Sequence, residues 1–140
     1  MTEVQIKKTQ WLRRLYFTKL KADSLQSLKD YDNQQLEDTN KEFSDKNEDV
    51  TYEKCVLIIK SISERSEENW LKALEEYNKI RLEVEKAISS IENTEYQYIL
   101  RARYIENKTW RQIAAEMFFS ERNVKYLHVK ALDEMQIILS

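Results

Sequence analysis

The chain has 140 residues, 34% of them charged and 41% hydrophobic, with a formal net charge of −2, one cysteine, and neither glycine nor proline. That composition leaves no Gly-rich phosphate loop, dinucleotide fingerprint or nucleophile elbow, and it removes the residues that favour tight hairpins. What remains is an all-α protein with a large solvated surface, long enough for one core or for a small domain carrying an extended helical arm.

The first helix is expected over about residues 3–36, with Trp11, Leu12, Leu15, Leu25 and Leu28 among its apolar positions. The segment DTNKEFSDKNED, residues 38–49, is rich in Asp, Asn and Ser and has no periodicity, so it reads as a loop. A second helix is expected over about residues 50–91. Ile59, Ile62, Ser66, Trp70, Ala73, Tyr77, Ile80, Val84, Ala87 and Ile91 recur at steps of three and four, which makes a coiled-coil-like seam. Forty helical residues span roughly 60 Å at about 1.5 Å each. The two helices are therefore expected to pair antiparallel as an arm over residues 1–92, extending beyond a compact C-terminal head at 93–140. Such a pair leaves apolar surface on its flanks, which motivates a homodimer formed through the arm, the alternative being a monomer with an exposed charged arm; Trp70 and Tyr77 belong to the seam, although an exposed aromatic there would suit a protein partner. Cys55, in the apolar run CVLII, reads as a buried core thiol. No apolar stretch approaches the ~20 residues that span a bilayer and no signal peptide precedes the charged start, so a soluble, cytoplasmic chain without membrane contact is expected.

The head is expected to hold three helices. Thr94 is placed to cap the first, EYQYILRARYIEN. Thr109 is placed to cap the second, whose inward face carries Trp110, Ile113, Ala114 and Met117. Phe118, Phe119 and Ser120 form the turn, Ser120 caps the third helix, and Val124, Leu127, Ala131 and Met135 give that helix its buried side. Two helices joined by a tight turn, the second polar and basic, are the sequence form of a DNA-reading helix-turn-helix. Glu121, Arg122, Lys125 and Tyr126 fall opposite the apolar stripe, where Arg or Lys pairs with guanine acceptors and Glu accepts from cytosine. Glu121 is equally suited to the helix dipole without any ligand, and Tyr126 divides evenly between a thymine or sugar contact and packing on the head. Arg101, Arg103, Lys108 and Arg111 flank the unit as phosphate contacts. Trp110, Phe118 and Phe119 also admit a reading as a stacking platform for single strands, but Trp110 shares a face with Ile113 and Met117 and belongs to the core. His128 has no Cys or second His near it, which argues against a metal and places it at the rim of the core.

Charge supports that placement. Residues 1–29 hold seven Lys or Arg against two acids, residues 30–93 nine against seventeen, and residues 94–140 seven against six. A DNA contact therefore belongs to the C-terminal end, helped by the N-terminal helix, while the acidic middle is repelled by phosphates. The many acids lack a companion nucleophile or metal-ligand set, so neither catalysis nor a cofactor is expected.

The runs RYIENKTWRQIAAEM and SERNVKYLHVKAL resemble region 4 of primary bacterial sigma factors, and more closely the phage-encoded regulators of the RinA and ArpU type. The likeness covers roughly residues 91–137, in the RYI run, the Trp of TW, the IA pair, the Ser cap and the KAL triplet. It continues more loosely upstream through a charged helical stretch ending in AISSIENTEYQYIL. Those proteins commonly carry a glycine in the turn; here Phe118 and Phe119 stand there, so the left-handed position is avoided or borne by another residue. The resemblance implies a sequence-specific DNA-binding transcription regulator that activates phage late or packaging genes in a bacterial host cell. It also allows two alternatives: a sigma-like module that binds RNA polymerase without reading DNA by itself, and a structural helical adaptor whose arm does the work.

Overall fold

The computed structural model describes residues 1–42 and 50–137, with side chains of the second segment from residue 53 onward. The described chain is all-α. Among the described residues there are five α-helices and no strand: α1 Glu3–Glu42, α2 Val50–Ser89, α3 Thr94–Leu100, α4 Trp110–Met117 and α5 Glu121–Glu134, with a π-helical turn, Arg101–Ile105, continuing α3. Two compact units divide the chain, one of Met1–Thr18 with Tyr77–Ser140, the other of Lys19–Glu76.

Three boundaries differ from expectation. α1 runs to Glu42, past Leu36, because the polar residues beyond it bond along the helix: Gln34 donates to Asp38 at 2.9 Å and the Thr39 hydroxyl to the Gln35 carbonyl at 2.8 Å. The rest of the expected loop, residues 43–49, lies outside the described residues. α2 stops at Ser89, and Ile91 is buried just beyond it. Asn93, rather than Thr94, caps α3, its side-chain oxygen accepting from the Tyr96 amide at 3.1 Å.

The unit of Lys19–Glu76 is a helix pair with a polar seam. Along α2 the inward positions run Ser63, Ser66, Trp70 and Ala73. Ile62 falls one residue off that phase and is exposed, and so are Cys55, Leu57 and Ile58. The expected burial of Cys55 is corrected for the same reason: a one-residue offset turns a helical side chain by about 100°, so hydrophobicity alone does not bring it inside. On α1, Ala22 and Asp32 are buried while Leu28 is exposed. Ser66 donates to the Asp32 carboxylate, Ser63 to the Asn33 side chain, and the Lys29 ammonium lies 4.0 Å from the centre of the Trp70 ring. Polar pairs at seam positions fix register at some cost in stability.

The other unit has an apolar core. Leu12 and Leu15 of α1 meet Ile80, Val84, Ala87 and Ile88 of α2, Leu100, Tyr104, and Ala131 and Leu132 of α5. A second cluster joins Ile99, Ala102, Ile113, Ala114 and Val124, with Trp110, Met117, Phe119 and Leu127 packed against it. The residues expected as a separate head from 93 onward are thus packed with the first turns of α1. Polar contacts seal that join: Gln5 donates to Asp133 at 2.7 Å and the Lys8 ammonium to the Leu132 carbonyl at 2.8 Å. α5 carries no basic residue in its last turn, so Lys8 supplies the cation that its C-terminal carbonyls favour.

Ser66→Ala strands the Asp32 carboxylate in the seam and should cost about 1–3 kcal/mol in a urea melt followed by circular dichroism. Replacing both partners, Asp32→Leu with Ser66→Ala, should recover most of that loss, because no buried charge is then left unpaired.

Candidate functional site

The region from α4 to α5 is built without glycine, and side chains set its boundaries. Thr109 caps α4 in a reciprocal box: its hydroxyl accepts from the Gln112 amide at 3.2 Å while the Gln112 side chain accepts from the Thr109 amide at 2.9 Å. Ile113 and Ala114 are then buried and Trp110 and Met117 half-buried, as the spacing predicts. At the far end Phe118 adopts the left-handed conformation, φ 58° and ψ 35°, with the Phe118 amide donating to Ala115 and the Phe119 amide to Ala114. These are the paired bonds of a Schellman ending, a position that usually takes glycine. Phe118 therefore bears the conformation that the missing glycine leaves open, and the residue is 94% exposed. Ser120 follows as the cap of α5, its hydroxyl accepting from the Asn123 amide at 3.1 Å. Val124, His128, Ala131 and Leu132 hold the buried side of α5.

Glu121, Arg122, Lys125 and Tyr126 all lie exposed on the first two turns of α5. Neither Arg122 nor Lys125 forms an ion pair among the described residues. Tyr126 faces solvent and lies 5.5 Å from the Lys130 ammonium, ring centre to nitrogen.

The four residues expected at phosphates separate into two kinds. Arg101 and Arg111 are exposed and make no ion pair among the described residues. Arg103 is committed internally, its guanidinium 4.4 Å from the Trp110 ring centre and its Nη1 donating to the Lys108 carbonyl at 3.0 Å. Lys108 sits between Glu116 and Glu106, each at 2.9 Å, and their hydrogen bonds hold its ammonium above its usual range. The Tyr98 hydroxyl donates to Glu116 as well, and it, then Lys108, keeps that carboxyl below its usual range.

The composition pattern gave no warning of this carboxylate pair around Lys108, because Glu106 and Glu116 are ten residues apart and only the fold brings them together. His128 was legible in principle. It lies four residues after Val124 and three before Ala131, on the inward stripe, and the structure places it inside the core rather than at its rim. Its Nε2 is hydrogen-bonded to the Tyr104 hydroxyl at 2.6 Å, and its ring meets Trp110 edge-on at 4.8 Å. Burial, with a smaller contribution from the Arg103 charge, pushes the imidazole down to about 4; burial also pushes the Tyr104 phenol up.

Arg103, Tyr104, Trp110 and His128 thus form one stacked polar cluster joining the π-helical turn to α4 and α5. The protein is in class an all-α protein whose C-terminal helices present a polar, partly basic face from a buried aromatic and aliphatic support. The chain belongs to the family described as protein of unknown function (DUF1492), whose model matches residues 44–136, more than half of its length. No curated protein and no solved structure matches the chain.

The His128 cluster makes stability depend on pH. Above pH 6.5 the imidazole is neutral in both states. Between 6.5 and about 4 the unfolded chain takes up a proton that the folded one refuses, so stability should fall with pH through that window, by up to about 3 kcal/mol, and level off below it. In chemical denaturation at several pH values, His128→Gln should show a flatter decline over the same window than the parent. Phe118→Gly tests the turn: removing the left-handed side chain should raise stability by about 1 kcal/mol, read as a higher denaturation midpoint.

Proposed function

We propose that the protein is a sequence-specific DNA-binding transcription regulator that uses α4 and α5 as a helix-turn-helix, with α5 in the major groove. The observation that carries this reading is the set Glu121, Arg122, Lys125 and Tyr126, exposed on the first two turns of α5 while Val124 and His128 anchor the opposite side. Residues near the start of a recognition helix are those that reach base edges. Arg122 and Lys125 donate to guanine acceptors, Glu121 accepts from cytosine, and Tyr126 meets a thymine methyl or a sugar. Arg101 and Arg111 are free to contact phosphates, whereas Arg103 is held against Trp110 and the Lys108 carbonyl, away from the face of α5, and Lys108 is neutralised by Glu106 and Glu116. The sigma region 4 and RinA/ArpU resemblance supports a role for such a regulator in activating phage late or packaging genes in the cytoplasm of a bacterial host. Exposed Leu28, Leu57, Ile58 and Ile62 in the Lys19–Glu76 unit favour a homodimer that presents two reading helices to paired half-sites.

A second reading has one observation in its favour. The cluster of Glu106, Lys108 and Glu116 carries more acid than base beside α4, which suits a basic protein partner better than a phosphate backbone. In that reading the same face binds RNA polymerase and does not bind DNA alone.

Fluorescence anisotropy with duplexes from upstream of the gene's neighbours separates the two. The full chain alone should bind a specific duplex, and Arg122→Ala with Lys125→Ala should abolish that preference, at about 1–3 kcal/mol for each base pairing lost. The variant's helicity and melting temperature should stay near the parent's, since both side chains are exposed. Unchanged affinity in the double variant, or binding that requires added polymerase, would overturn the DNA-reading proposal.

A further inference from the structure

A cavity of about 340 Å³ lies in the unit formed by residues 1–18 and 77–140, and the DNA-reading face does not use it. Its walls are Arg13, Tyr16 and Phe17 of α1 and Arg103, Tyr104 and Asn107 from the π-helical turn and the residues after it. The lining holds two guanidinium groups, three aromatic rings and one amide, and no carboxylate. Arg13 is exposed and forms no ion pair among the described residues. Arg103 is oriented in advance by its stack on Trp110 and its bond to the Lys108 carbonyl. Phe17 is 62% exposed, set edge-on to Tyr16 with ring centres 5.5 Å apart. An apolar ring of that size standing in water beside two cations contributes nothing to the core.

The backbone around the cavity is also unusual. The amide of Glu106 donates to the Arg101 carbonyl and that of Lys108 to the Ala102 carbonyl, so the turn holds more residues than an α-helical one, and Asn107 follows it in the left-handed region at φ 57°. Such wide turns recur at functional sites, and asparagine tolerates this conformation better than most residues. Arg103, Tyr104 and Asn107 thereby come to line one cavity. Tyr104 offers only its ring, since its hydroxyl is engaged by His128.

We propose that this cavity binds a small organic anion carrying a planar ring, of the mononucleotide class. Arg13 and Arg103 hold the phosphate, for which paired guanidinium groups are suited by charge and by forked geometry. Phe17 stacks against the base while Tyr16 meets it edge-on, and the Asn107 amide offers a donor and an acceptor to its edge. The volume lies at the lower end of the range for small-ligand pockets and suits one nucleotide better than two.

The test is calorimetric titration of the full chain with AMP and with GMP, using inorganic phosphate and adenosine as the two halves of the ligand. At least one nucleotide should saturate the protein and bind about tenfold or more tighter than either half, because charge and ring are recognised together. Arg13→Ala should weaken binding about tenfold and Phe17→Ala several-fold. Both side chains are exposed, so circular dichroism of each variant should match the parent. Failure of both nucleotides to saturate below about 5 mM, equal binding of inorganic phosphate, or unchanged affinity in Arg13→Ala would overturn the proposal. No DNA enters these measurements, so their outcome is independent of the regulatory reading.

Discussion

A chain without glycine or proline must end its helices by other means, and the geometry of the C-terminal unit depends on how it does so. Asn93, Thr109 and Ser120 each place a side-chain oxygen on the free amide of the third residue of α3, α4 and α5. Asn107 and Phe118 take up the two left-handed positions among the described residues. For Asn107 that conformation is mild. For Phe118 it carries a cost on the order of 1–2 kcal/mol, accepted because the Schellman bonds at Ala114 and Ala115 turn the chain so that Ser120 can start α5 within three residues. The direction of α5, and with it the exposure of Arg122 and Lys125, follows from a turn made by a residue poorly suited to it.

The support beneath that face is unusually polar for a small core. Tyr104 and His128 are buried and bonded to each other, Trp110 meets the imidazole edge-on, and Arg103 covers the Trp110 ring. Burial keeps the imidazole uncharged, so the cluster does not add a charge to the core beside Arg103. Each member constrains the next, which fixes the orientation of α4 against α5 more narrowly than aliphatic packing of the same size would. The seam of the Lys19–Glu76 unit uses polar pairs in a different way: Asp32 with Ser66 and Asn33 with Ser63 set the register of two helices that have few apolar residues to share.

Much of the helical layout was legible in the sequence because helices obey a short period. The seam from Ser66 to Ala87 and the inward faces of α4 and α5 follow from spacing alone, and Thr109 and Ser120 announce themselves as caps. Sequence and structure part where hydrophobicity and phase disagree. Ile62 and Cys55 look like core residues yet fall outside the stripe, while Ser63 falls on it. Asn, Asp and Ser suggest a loop at the end of α1, whereas Gln34, Asp38 and Thr39 bond along the helix itself. Neither the ion pairs that engage Lys108 nor the meeting of Arg13 with Arg103 was legible, because both depend on residues brought together by the tertiary fold.

The bonds from Gln5 to Asp133 and from Lys8 to Leu132 join positions 128 and 124 residues apart. Synthesis therefore makes the two units in a fixed order. Residues 19–76 are contiguous and have all their partners while translation is still under way, whereas Leu12 and Leu15 must wait for Ala131 and Leu132 to leave the ribosome. Ile80, Val84, Ala87 and Ile88 emerge earlier and cover part of that apolar surface; the part that α5 covers stays open on the nascent chain until then, which is when such surface invites aggregation or chaperone capture. Closing a loop of that length also slows folding more than it lowers stability. Part of the heavy charge on this chain thus serves the nascent chain in the interval before folding is complete, and not only the folded surface.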